Sequence, residues 1–280
     1  HGAFMRYDIV YICGVGSAIL SFIPRLYGAK VVENVDGADW KRKKWVGFAK
    51  WFLHLSERLA TICPTIVIAD SLAVQRYYKN FYGKDTVMIP YGAHIFDPKG
   101  EEFLEKFGLK KRQYILFVGR LVPENNAHVL LEAFLGIATD LKLVIVGDDP
   151  YGQDYRESLK KMAQGNPRIV FTGFLFGAGY HQLSFNAFLF VLPAEVGGTH
   201  PVLLEAMAFG NCVLVNNTEA NCEVIGDAGL SYEGSKGSTA LKEKLSHLLS
   251  YPQEIEALRA KARQRVRERY SWETVTEDYD

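Results

Sequence analysis

Short apolar runs alternate with longer amphipathic stretches along the whole chain. The runs are rich in β-branched side chains and are bounded by Gly, Asp or Pro, which predicts strands, while the stretches between them have the period of helices. Because the runs are apolar throughout, they are typical of parallel strands covered on both faces. The predicted strands are Asp8–Cys13, Lys30–Val35, Thr65–Ala69, Thr86–Ile89, Gln113–Val118, Leu141–Val146, Arg168–Thr172, Ala187–Leu192, Cys212–Asn216 and Gly229–Ser231.

The middle of the chain interrupts this pattern. Residues 90–92 are Pro-Tyr-Gly and a polar stretch follows at 97–102, so a domain boundary is expected here. In doubly wound α/β folds ligands bind at the carboxyl ends of the strands, and candidate chemistry is therefore sought in the loops that follow them. The sequence predicts two doubly wound α/β domains at 1–93 and 94–251, followed by a helical tail at 252–280.

The composition excludes several classes of protein. Of the 280 residues 48% are apolar and 25 are Gly, unlike a disordered or collagen-like chain. No apolar run approaches the ~18 residues of a membrane-spanning helix. The four cysteines include no Cys-x-x-Cys pair, so we expect buried thiols in a reducing, cytoplasmic compartment. No group of His, Cys, Asp and Glu has the spacing of metal ligands, and no bound metal is expected.

Charge is distributed unevenly along the chain. Lys and Arg number 32, as do Asp and Glu, but residues 1–93 carry a net charge of +5 and the remainder −5. A basic first half favours a surface that lies near anionic groups. The acidic second half argues against a nucleic-acid partner.

A basic segment flanked by Trp precedes an amphipathic stretch in the first half. The bases either lie on anionic lipid headgroups, each contributing ~1 kcal/mol, or are solvated. We expect the apolar stripe of the amphipathic stretch to pack on the sheet of its own domain. The bases are Lys41, Arg42, Lys43 and Lys44, and the stripe is Trp45, Phe48, Ala49, Phe52, Leu55 and Leu59.

The loop before Pro201 is the first candidate site. A predicted strand ends at Leu192, two glycines follow, and Pro is favoured at the first position of a helix. Free backbone N–H groups of Gly198 and Thr199, with the positive end of the helix dipole, would form an anion site suited to a diphosphate. Glu205, one turn into the helix, either accepts two ribose hydroxyls or is a solvated acid of an ordinary strand–turn–helix.

Other strand ends add candidate residues. Arg120 follows Gly119 at the end of a predicted strand, where its guanidinium either grips a phosphate bidentately or pairs with a structural acid. Gly147 and Asp148 follow the next strand. The main chain of Phe174 comes directly after a glycine that permits close approach to a flat base.

As a set, these loops resemble the retaining glycosyltransferases of the GT-B fold, the family-four group of sugar-nucleotide enzymes. The resemblance covers the whole second domain, and the first half is similar to the bacterial rhamnosyltransferase subgroup. In the second half the matching residues are Gly119-Arg120, Pro123-Glu124, Gly147-Asp148, Phe171-x-Gly173, Leu204-Glu205-Ala206-Met207-Ala208-x-Gly210, Asp227-Ala228-Gly229-Leu230 and Tyr270-Ser271-Trp272-Glu273. In the first half they are Asn34-Val35-Asp36-Gly37-x-Asp39-Trp40-Lys41-Arg42, Ala69-Asp70-Ser71 and Ile89-Pro90-Tyr91-Gly92.

The resemblance implies a GT-B fold of two Rossmann-like domains facing a cleft, the first incomplete because such proteins normally begin with a further strand–helix unit. It implies a retaining, metal-independent hexosyltransferase. The sugar, expected to be L-rhamnose from dTDP-rhamnose, would be moved to a cell-surface glycan or a polyprenyl-linked acceptor. No cofactor is expected, since the dTDP- or UDP-linked donor is a substrate. The protein would act in the cytoplasm, with the inner face of the membrane as the expected peripheral site.

The resemblance also implies roles for individual residues. Arg120 would stabilise the leaving diphosphate, and Gly198 and Thr199 would donate backbone N–H groups to it. Glu205 would hold the nucleotide ribose. The glycines that end the strands would admit the donor.

The sequence departs from the family at three positions. Asn125, expected in the donor site, stands where the family has a Lys, Gly197 where it has a Glu, and Asp36 where it has a His. Glu195 either substitutes for the missing acid or is a solvated loop residue, and Asp36 either meets hydroxyls of the transferred sugar or forms an Asx turn. These departures favour altered donor use. The alternative is a catalytically impaired GT-B protein that binds a nucleotide sugar or a partner enzyme.

Overall fold

The computed structural model describes residues 7–37, 40 and 45–280. They form two compact units, which are described separately below. The domain limits predicted from the sequence remain our proposal. The first unit holds the residues up to Tyr91, the loop Val196–Thr199 and Glu277–Asp280, and the second holds Gly92–Glu195 and His200–Thr276.

The first unit is built on a parallel sheet in the order β1-β2-β3-β4. Its strands are β1 (Ile9–Cys13), β2 (Lys30–Val35), β3 (Ile66–Ala69) and β4 (Val87–Met88). The connections hold a 3₁₀ turn, Val15–Leu20, and the helices α1 (Phe22–Leu26), α2 (Gly47–Ala60) and α3 (Leu72–Tyr82).

Local sequence explains where α3 begins and ends. The hydroxyl of Ser71 accepts the N–H of Val74 at 3.2 Å, which caps the first turn. Gly83 follows the last turn with φ of 67°, a left-handed conformation that glycine adopts without steric cost. Val74 and Tyr78 are the buried residues of the helix, so its apolar face turns toward the sheet as the helical period predicts.

The interior of the first unit is more polar than the sequence pattern predicts. Tyr77 and Tyr82 donate hydrogen bonds to Oε1 of the buried Glu57 at 2.6 and 2.7 Å. Glu33 on β2 is fully buried, and burial raises the pKa of its carboxyl to about 7. The expectation of strands covered on both faces is wrong for β1, where Ile9 is 63% exposed, because every second residue of β1 is exposed and the described residues leave that face uncovered.

The amphipathic stretch forms α2, but its buried face differs from the predicted stripe. The buried residues are Ser56, Glu57 and Ala60, whereas Phe48 is 75% exposed. The prediction that the stripe packs on the sheet is therefore wrong at the first turn of α2. Tyrosine donors from α3 allow a carboxylate on the buried face, which an apolar pattern does not reveal. The basic residues Lys41, Arg42, Lys43 and Lys44 lie outside the described residues.

The second unit is built on a parallel sheet in the order β10-β9-β8-β5-β6-β7. The chain adds β6 and β7 on one side of β5 and β8 to β10 on the other, which is the doubly wound arrangement with a switch point beside β5. The strands are β5 (Tyr114–Val118), β6 (Lys142–Val146), β7 (Ile169–Gly173), β8 (Leu189–Leu192), β9 (Val213–Asn216) and β10 (Leu230–Tyr232).

Helices cover this sheet over an apolar core. Phe117, Phe134 and Phe190 are fully buried in it. Within the described part of the chain, no helix combines the length and the apolarity needed to cross a membrane. The helices are α4 (Glu102–Lys106), α5 (Ala127–Leu135), α6 (Gln153–Ala163), α7 (Gly177–Phe185), α8 (Pro201–Ala208), α9 (Glu219–Ile225), α10 (Gly237–Ser250), α11 (Pro252–Arg269) and α12 (Trp272–Glu277).

All ten predicted strands are present, each within two residues of its predicted limits. The parallel pairing of every strand is confirmed as well. The expectation of four buried thiols is wrong: Cys212 is buried, whereas Cys13 is exposed because it ends the half-exposed strand β1.

Candidate active site

Three strands of the second unit end in glycines whose backbones touch. Gly119 N–H donates to the carbonyl of Val146 at 3.0 Å, and Gly147 N–H donates to the carbonyl of Gly173 at 2.9 Å. Gly147 has φ of 134°, and a Cβ there would lie 1.9 Å from the carbonyl oxygen of Gly119. A side chain at Gly147 is therefore excluded, and this edge of the sheet presents backbone.

Arg120 extends from this edge. Its main chain is held because the carbonyl accepts the N–H of Val122 at 2.9 Å and Nδ2 of Asn125 at 2.8 Å. Its side chain is exposed, and its guanidinium has no hydrogen bond or ion pair among the described residues. The alternative of a structural ion pair thus finds no support in the described part of the chain. A guanidinium in this state is available to an anionic ligand.

Asn125 and Glu195 are placed around the same loop. The side-chain amide of Asn125 donates to the Arg120 carbonyl. Because an amide carries no charge, Asn125 does not replace the Lys cation that the resemblance implies at this position. Glu195 is exposed, and its Oε2 accepts Nδ2 of Asn126 at 3.3 Å. Its backbone N–H donates to the carbonyl of Glu124 at 3.0 Å. Glu195 is therefore held by the loop that follows β5.

Glu124, which the sequence analysis gives only as part of the Pro123-Glu124 motif, lies on the loop after β5. It is only 3% exposed, and its Oε1 has no hydrogen-bond partner among the described residues. A buried carboxylate oxygen without a donor is costly in a folded protein. The available signal was an acid directly after Pro123, next to the exposed strand end.

Asp148 and Phe174 were predicted at the neighbouring strand ends. Asp148 forms an ion pair with Arg156 at 3.1 Å and accepts the N–H of Asp149 at 2.8 Å. Its carboxylate is therefore already held by protein donors. Phe174 is 49% exposed and stacks on Phe176 with ring centroids 6.0 Å apart. The role of its main chain stays a prediction.

Glu205 lies in α8, which begins at Pro201 as predicted. The Tyr180 hydroxyl donates to its Oε2 at 2.5 Å. Burial, and then the charge of Glu205, raise the pKa of Tyr180 well above its usual value, so the tyrosine remains a donor. Glu205 is half-buried and is not the solvated acid that one interpretation expected. Tyr180 belongs to α7, and no local signal relates it to Glu205.

The loop Val196–Thr199 belongs to the first unit, and there its amides are not free. Gly198 N–H donates to the carbonyl of Asp36 at 3.2 Å. Thr199 N–H donates to Oδ2 of Asp70 at 3.0 Å, and its hydroxyl donates to the Asp70 carbonyl at 2.6 Å. The expectation of free N–H groups at Gly198 and Thr199 is wrong in this structure, because a main-chain carbonyl accepts the first and the buried carboxylate of Asp70, which needs donors, accepts the second.

Two acids and a tyrosine lie near this loop. Asp36 follows β2 and Asp70 follows β3, so both lie at the carboxyl edge of the first sheet. Burial, then the charges of Asp36 and Asp70, raise the pKa of Tyr91 to about 12. Gly198 must be glycine here, since a Cβ would lie 2.2 Å from Oδ1 of Asp70. Sequence reasoning quoted Asp70 and Tyr91 only as parts of a motif.

The described residues contain no group of three or more His, Cys, Asp or Glu arranged to hold a metal ion. The expectation that the reaction needs no metal stays a prediction.

Solved structures define the class of the fold. HepE from Anabaena, crystallised in complex with UDP, superposes with a TM-score of 0.81 at 20% identity, covering 98% of this chain and 77% of that one. Sucrose-phosphate synthase from Thermosynechococcus elongatus superposes with a TM-score of 0.84 at 19% identity, covering 98% and 72%. The protein therefore has a GT-B-like α/β fold with two parallel Rossmann-like sheets, and the predicted fold class is confirmed.

Sequence comparison defines the family within that class. Residues 100–267 match the model of Glycosyl transferases group 1, which is more than half of the chain. The chain belongs to this family. Residues 5–94 match a second model, a domain of unknown function named DUF1972.

Two curated relatives are similar along most of the chain. The capsular polysaccharide biosynthesis glycosyltransferase CapM of Staphylococcus aureus is 25% identical over 252 residues, 84% of this chain and 65% of its own length. The putative teichuronic acid biosynthesis glycosyltransferase TuaC of Bacillus subtilis is 29% identical over 220 residues, 76% of this chain and 50% of its own. The chain thus spans about half to two thirds of the length of these relatives.

Proposed function

We propose that the protein is a glycosyltransferase of polysaccharide biosynthesis that transfers a sugar from a nucleoside-diphosphate donor with retention at the anomeric carbon. The family and the names of the curated relatives support the reaction class, and the UDP complex of HepE supports the donor class. The observation that carries the proposal is the exposed guanidinium of Arg120, without a partner among the described residues, beside strand ends that present only glycine backbone.

The mechanism follows from where charge develops. Breaking the bond between the sugar and the phosphate builds positive charge at the anomeric carbon and negative charge on the departing diphosphate. A guanidinium beside that diphosphate stabilises it more in the transition state than in the ground state, which accelerates the reaction. Arg120 takes this role. Glu205, with one oxygen held by Tyr180, offers the other to ribose hydroxyls.

The finer assignments belong to the same proposal. The donor is dTDP-L-rhamnose, and the acceptor is a cell-surface glycan or a polyprenyl-linked precursor. Arg120, in place of a metal cation, stabilises the charge of the leaving diphosphate. Asp36 meets the hydroxyls of the transferred sugar, and Glu195 replaces the missing acid. Gly119, Asn125, Gly147, Asp148 and Phe174 complete the donor site. These assignments rest on the resemblance of short motifs in the first half to the rhamnosyltransferase subgroup.

The amides of Gly198 and Thr199 require an exchange of partners. They donate to Asp36 and Asp70 in this structure, so donation to a diphosphate means that these bonds break first. The stronger anion, with the full charge of a diphosphate, is the better acceptor for both groups. We therefore propose that this loop rearranges when the donor binds.

Replacement of Arg120 tests the proposal. Arg120→Ala is expected to lower the rate of transfer, or of donor hydrolysis, about a thousandfold. Its thermal unfolding should be unchanged, because the exposed guanidinium has no hydrogen bond or ion pair among the described residues. Arg269→Ala, an exposed arginine on α11, is the matched control and should keep full activity. NMR of the product during turnover reports whether the anomeric configuration is retained.

Near-normal kinetics in Arg120→Ala would overturn the proposal, as would a product of inverted configuration. A screen of dTDP- and UDP-linked sugars, read by mass spectrometry, identifies the donor. Transfer from UDP-sugars alone would contradict rhamnose transfer and leave the reaction class intact.

A second candidate function is binding of a nucleotide sugar or a partner enzyme without turnover. The occupied amides of Gly198 and Thr199 and the absence of a carboxylate at Gly197 favour it. Calorimetric titration with dTDP- and UDP-sugars, combined with an assay for hydrolysis and transfer, separates the two functions. Binding without any turnover by the intact protein would favour the second.

We also propose a peripheral position on an anionic, cytoplasmic membrane face. Exposed apolar side chains at the beginning of α2 support it: Val46 is 72%, Phe48 75% and Trp51 58% exposed. These residues follow the basic segment of the sequence. Replacing Lys41, Arg42, Lys43 and Lys44 with Gln should abolish salt-sensitive co-sedimentation with anionic vesicles. Co-sedimentation that ignores salt and anionic lipid would contradict the membrane site.

A further inference from the structure

A groove of about 550 Å³ lies on the second unit, away from the candidate active site. Arg112, Phe185 and Gly210 line it, and they precede β5, β8 and β9 respectively. Helix α11 forms the other wall. Because the strands are parallel, these residues lie at the amino edge of the sheet, whereas Arg120 lies at the carboxyl edge.

Two guanidinium groups converge within this groove. Nη1 of Arg112 and Nη2 of Arg259 donate to the same carbonyl, that of Ala187, at 2.6 and 3.3 Å. Arg259 is 8% exposed. Burial, and then the nearby charge of Arg259, lower the pKa of Arg112. Two like charges on one neutral acceptor repel each other, and an anion placed between them would relieve that repulsion.

Helix α11 adds two more guanidinium groups to the same wall. Arg263 and Arg267 follow Arg259 at intervals of four residues, which places them on one side of the helix. All three line the groove. The groove therefore gathers four arginines from two segments of the chain.

Among the described residues, carboxylates pair with only two of these four arginines. Arg259 pairs with Glu256, and Arg263 pairs with Asp97 at 2.7 Å. Glu268 also lines the groove, where its carboxylate accepts Nε2 of Gln264 at 2.8 Å. Among the described residues, the guanidinium groups of Arg112 and Arg267 have no carboxylate partner.

In the described part of the chain, two arginines that line the groove also have buried donors without an acceptor. The Nε atoms of Arg259 and Arg263 are buried and have no hydrogen-bond acceptor among the described residues. A buried donor that is left unpaired destabilises the folded state. Hydrogen bonds to the carbonyl groups that precede β8 account for some of the N–H groups of Arg112 and Arg259. They account neither for the unpaired Nε–H groups nor for the exposed side chain of Arg267.

We propose that this groove binds a phosphate-bearing anion, either a soluble phosphate compound or the headgroup of an anionic lipid. Guanidinium groups present planar pairs of N–H donors that match the oxygens of a phosphate. Several of them around one groove favour a group with more than one negative charge. This site is separate from the proposed donor site and does not depend on it.

Residue-resolved NMR of the arginine Nε–H groups tests the site on the intact protein, with inorganic pyrophosphate as the probe. We expect saturable shifts of the Arg263 and Arg267 signals, in the wild type and equally in Arg120→Ala. Arg267→Glu should raise the Kd of this event at least tenfold. Arg269→Glu makes the same charge change on the same exposed helix end and should leave the Kd unchanged.

Vesicles distinguish the two sources of phosphate. Binding to phosphatidylglycerol vesicles but not to phosphatidylcholine, lost in Arg267→Glu and kept in Arg269→Glu, supports the site with a lipid headgroup as its ligand. Pyrophosphate shifts without vesicle binding support a soluble ligand. The proposal is overturned when neither probe binds, or when both Glu variants weaken binding equally, since that result reports general charge. Loss of catalysis in Arg120→Ala with these shifts intact separates this test from that of the transferase.

Discussion

The two sheets differ in the residues that follow their strands. In the second unit β5 and β6 are followed by Gly119 and Gly147, whose backbones touch and leave an exposed edge beside Arg120. In the first unit β2 and β3 are followed by Asp36 and Asp70, which accept hydrogen bonds from a loop of the same chain. The same parallel architecture therefore leaves glycine backbone exposed at one sheet edge and holds a loop of the chain at the other, where the main-chain carbonyl of Asp36 and the carboxylate of Asp70 accept N–H groups.

The interiors of the two units differ in the same sense. The second sheet packs on an apolar core, whereas the first unit buries Glu33 and also Glu57, which accepts hydrogen bonds from two tyrosines. Burying a carboxylate makes the stability of a fold depend on pH, since protonation removes the buried charge. The stability of the first unit should therefore depend on pH through Glu33.

Substitution of Gly147 is the strongest test of the glycine edge. Gly147→Ala is expected to lose about 4 kcal/mol of unfolding free energy, because its Cβ would overlap the Gly119 carbonyl and its φ is positive. Gly165→Ala is the matched control, since Gly165 also has positive φ but no atom within 4 Å of an added Cβ. The control should lose ~1 kcal/mol. Equal losses in urea denaturation would mean that conformation, and not contact between strand ends, requires glycine.

Glu33 tests the polar interior. Its pKa is raised from 4.5 to about 7, so the folded state keeps its proton where the unfolded chain has lost it. The unfolding free energy should fall by roughly 3 kcal/mol as pH rises from 4.5 to 7 and should change little above that. Glu33→Gln should remove this slope in chemical denaturation at several pH values. The exposed Glu105→Gln is the control. An unchanged slope in Glu33→Gln would contradict the buried, neutral carboxyl.

Substitution of Asp70, at the carboxyl edge of the first sheet, has the smallest expected effect. Asp70→Asn weakens the charged acceptor of the Thr199 N–H and should lower the unfolding free energy by ~1 kcal/mol. The pKa of Tyr91, now about 12, should fall because one of the charges that raise it is gone. Thermal unfolding and absorbance titration measure the two effects. Asp85→Asn, which breaks an exposed ion pair with Lys79, should change neither; equal effects would show that Asp70 does not hold the loop.

The sequence by itself determined that the strands are parallel and that the second unit is doubly wound. It also determined that Arg120 follows a strand and that Pro201 begins a helix. These features depend on local signals. Apolar runs, glycine after a strand and proline at a helix start act through the nearest residues, so they can be recognised along the chain. The family resemblance rests on the same short motifs.

Only the tertiary structure decided which polar groups are in use. Asp70 accepts a hydrogen bond from the N–H of Thr199, 129 residues away in the sequence. Tyr180 donates one to Glu205, 25 residues away in the sequence. The four arginines of the groove likewise come from the start of β5 and from α11. Hydrogen bonds and charges depend on distance in space, and folding brings together donors and acceptors whose spacing along the chain carries no periodic signal.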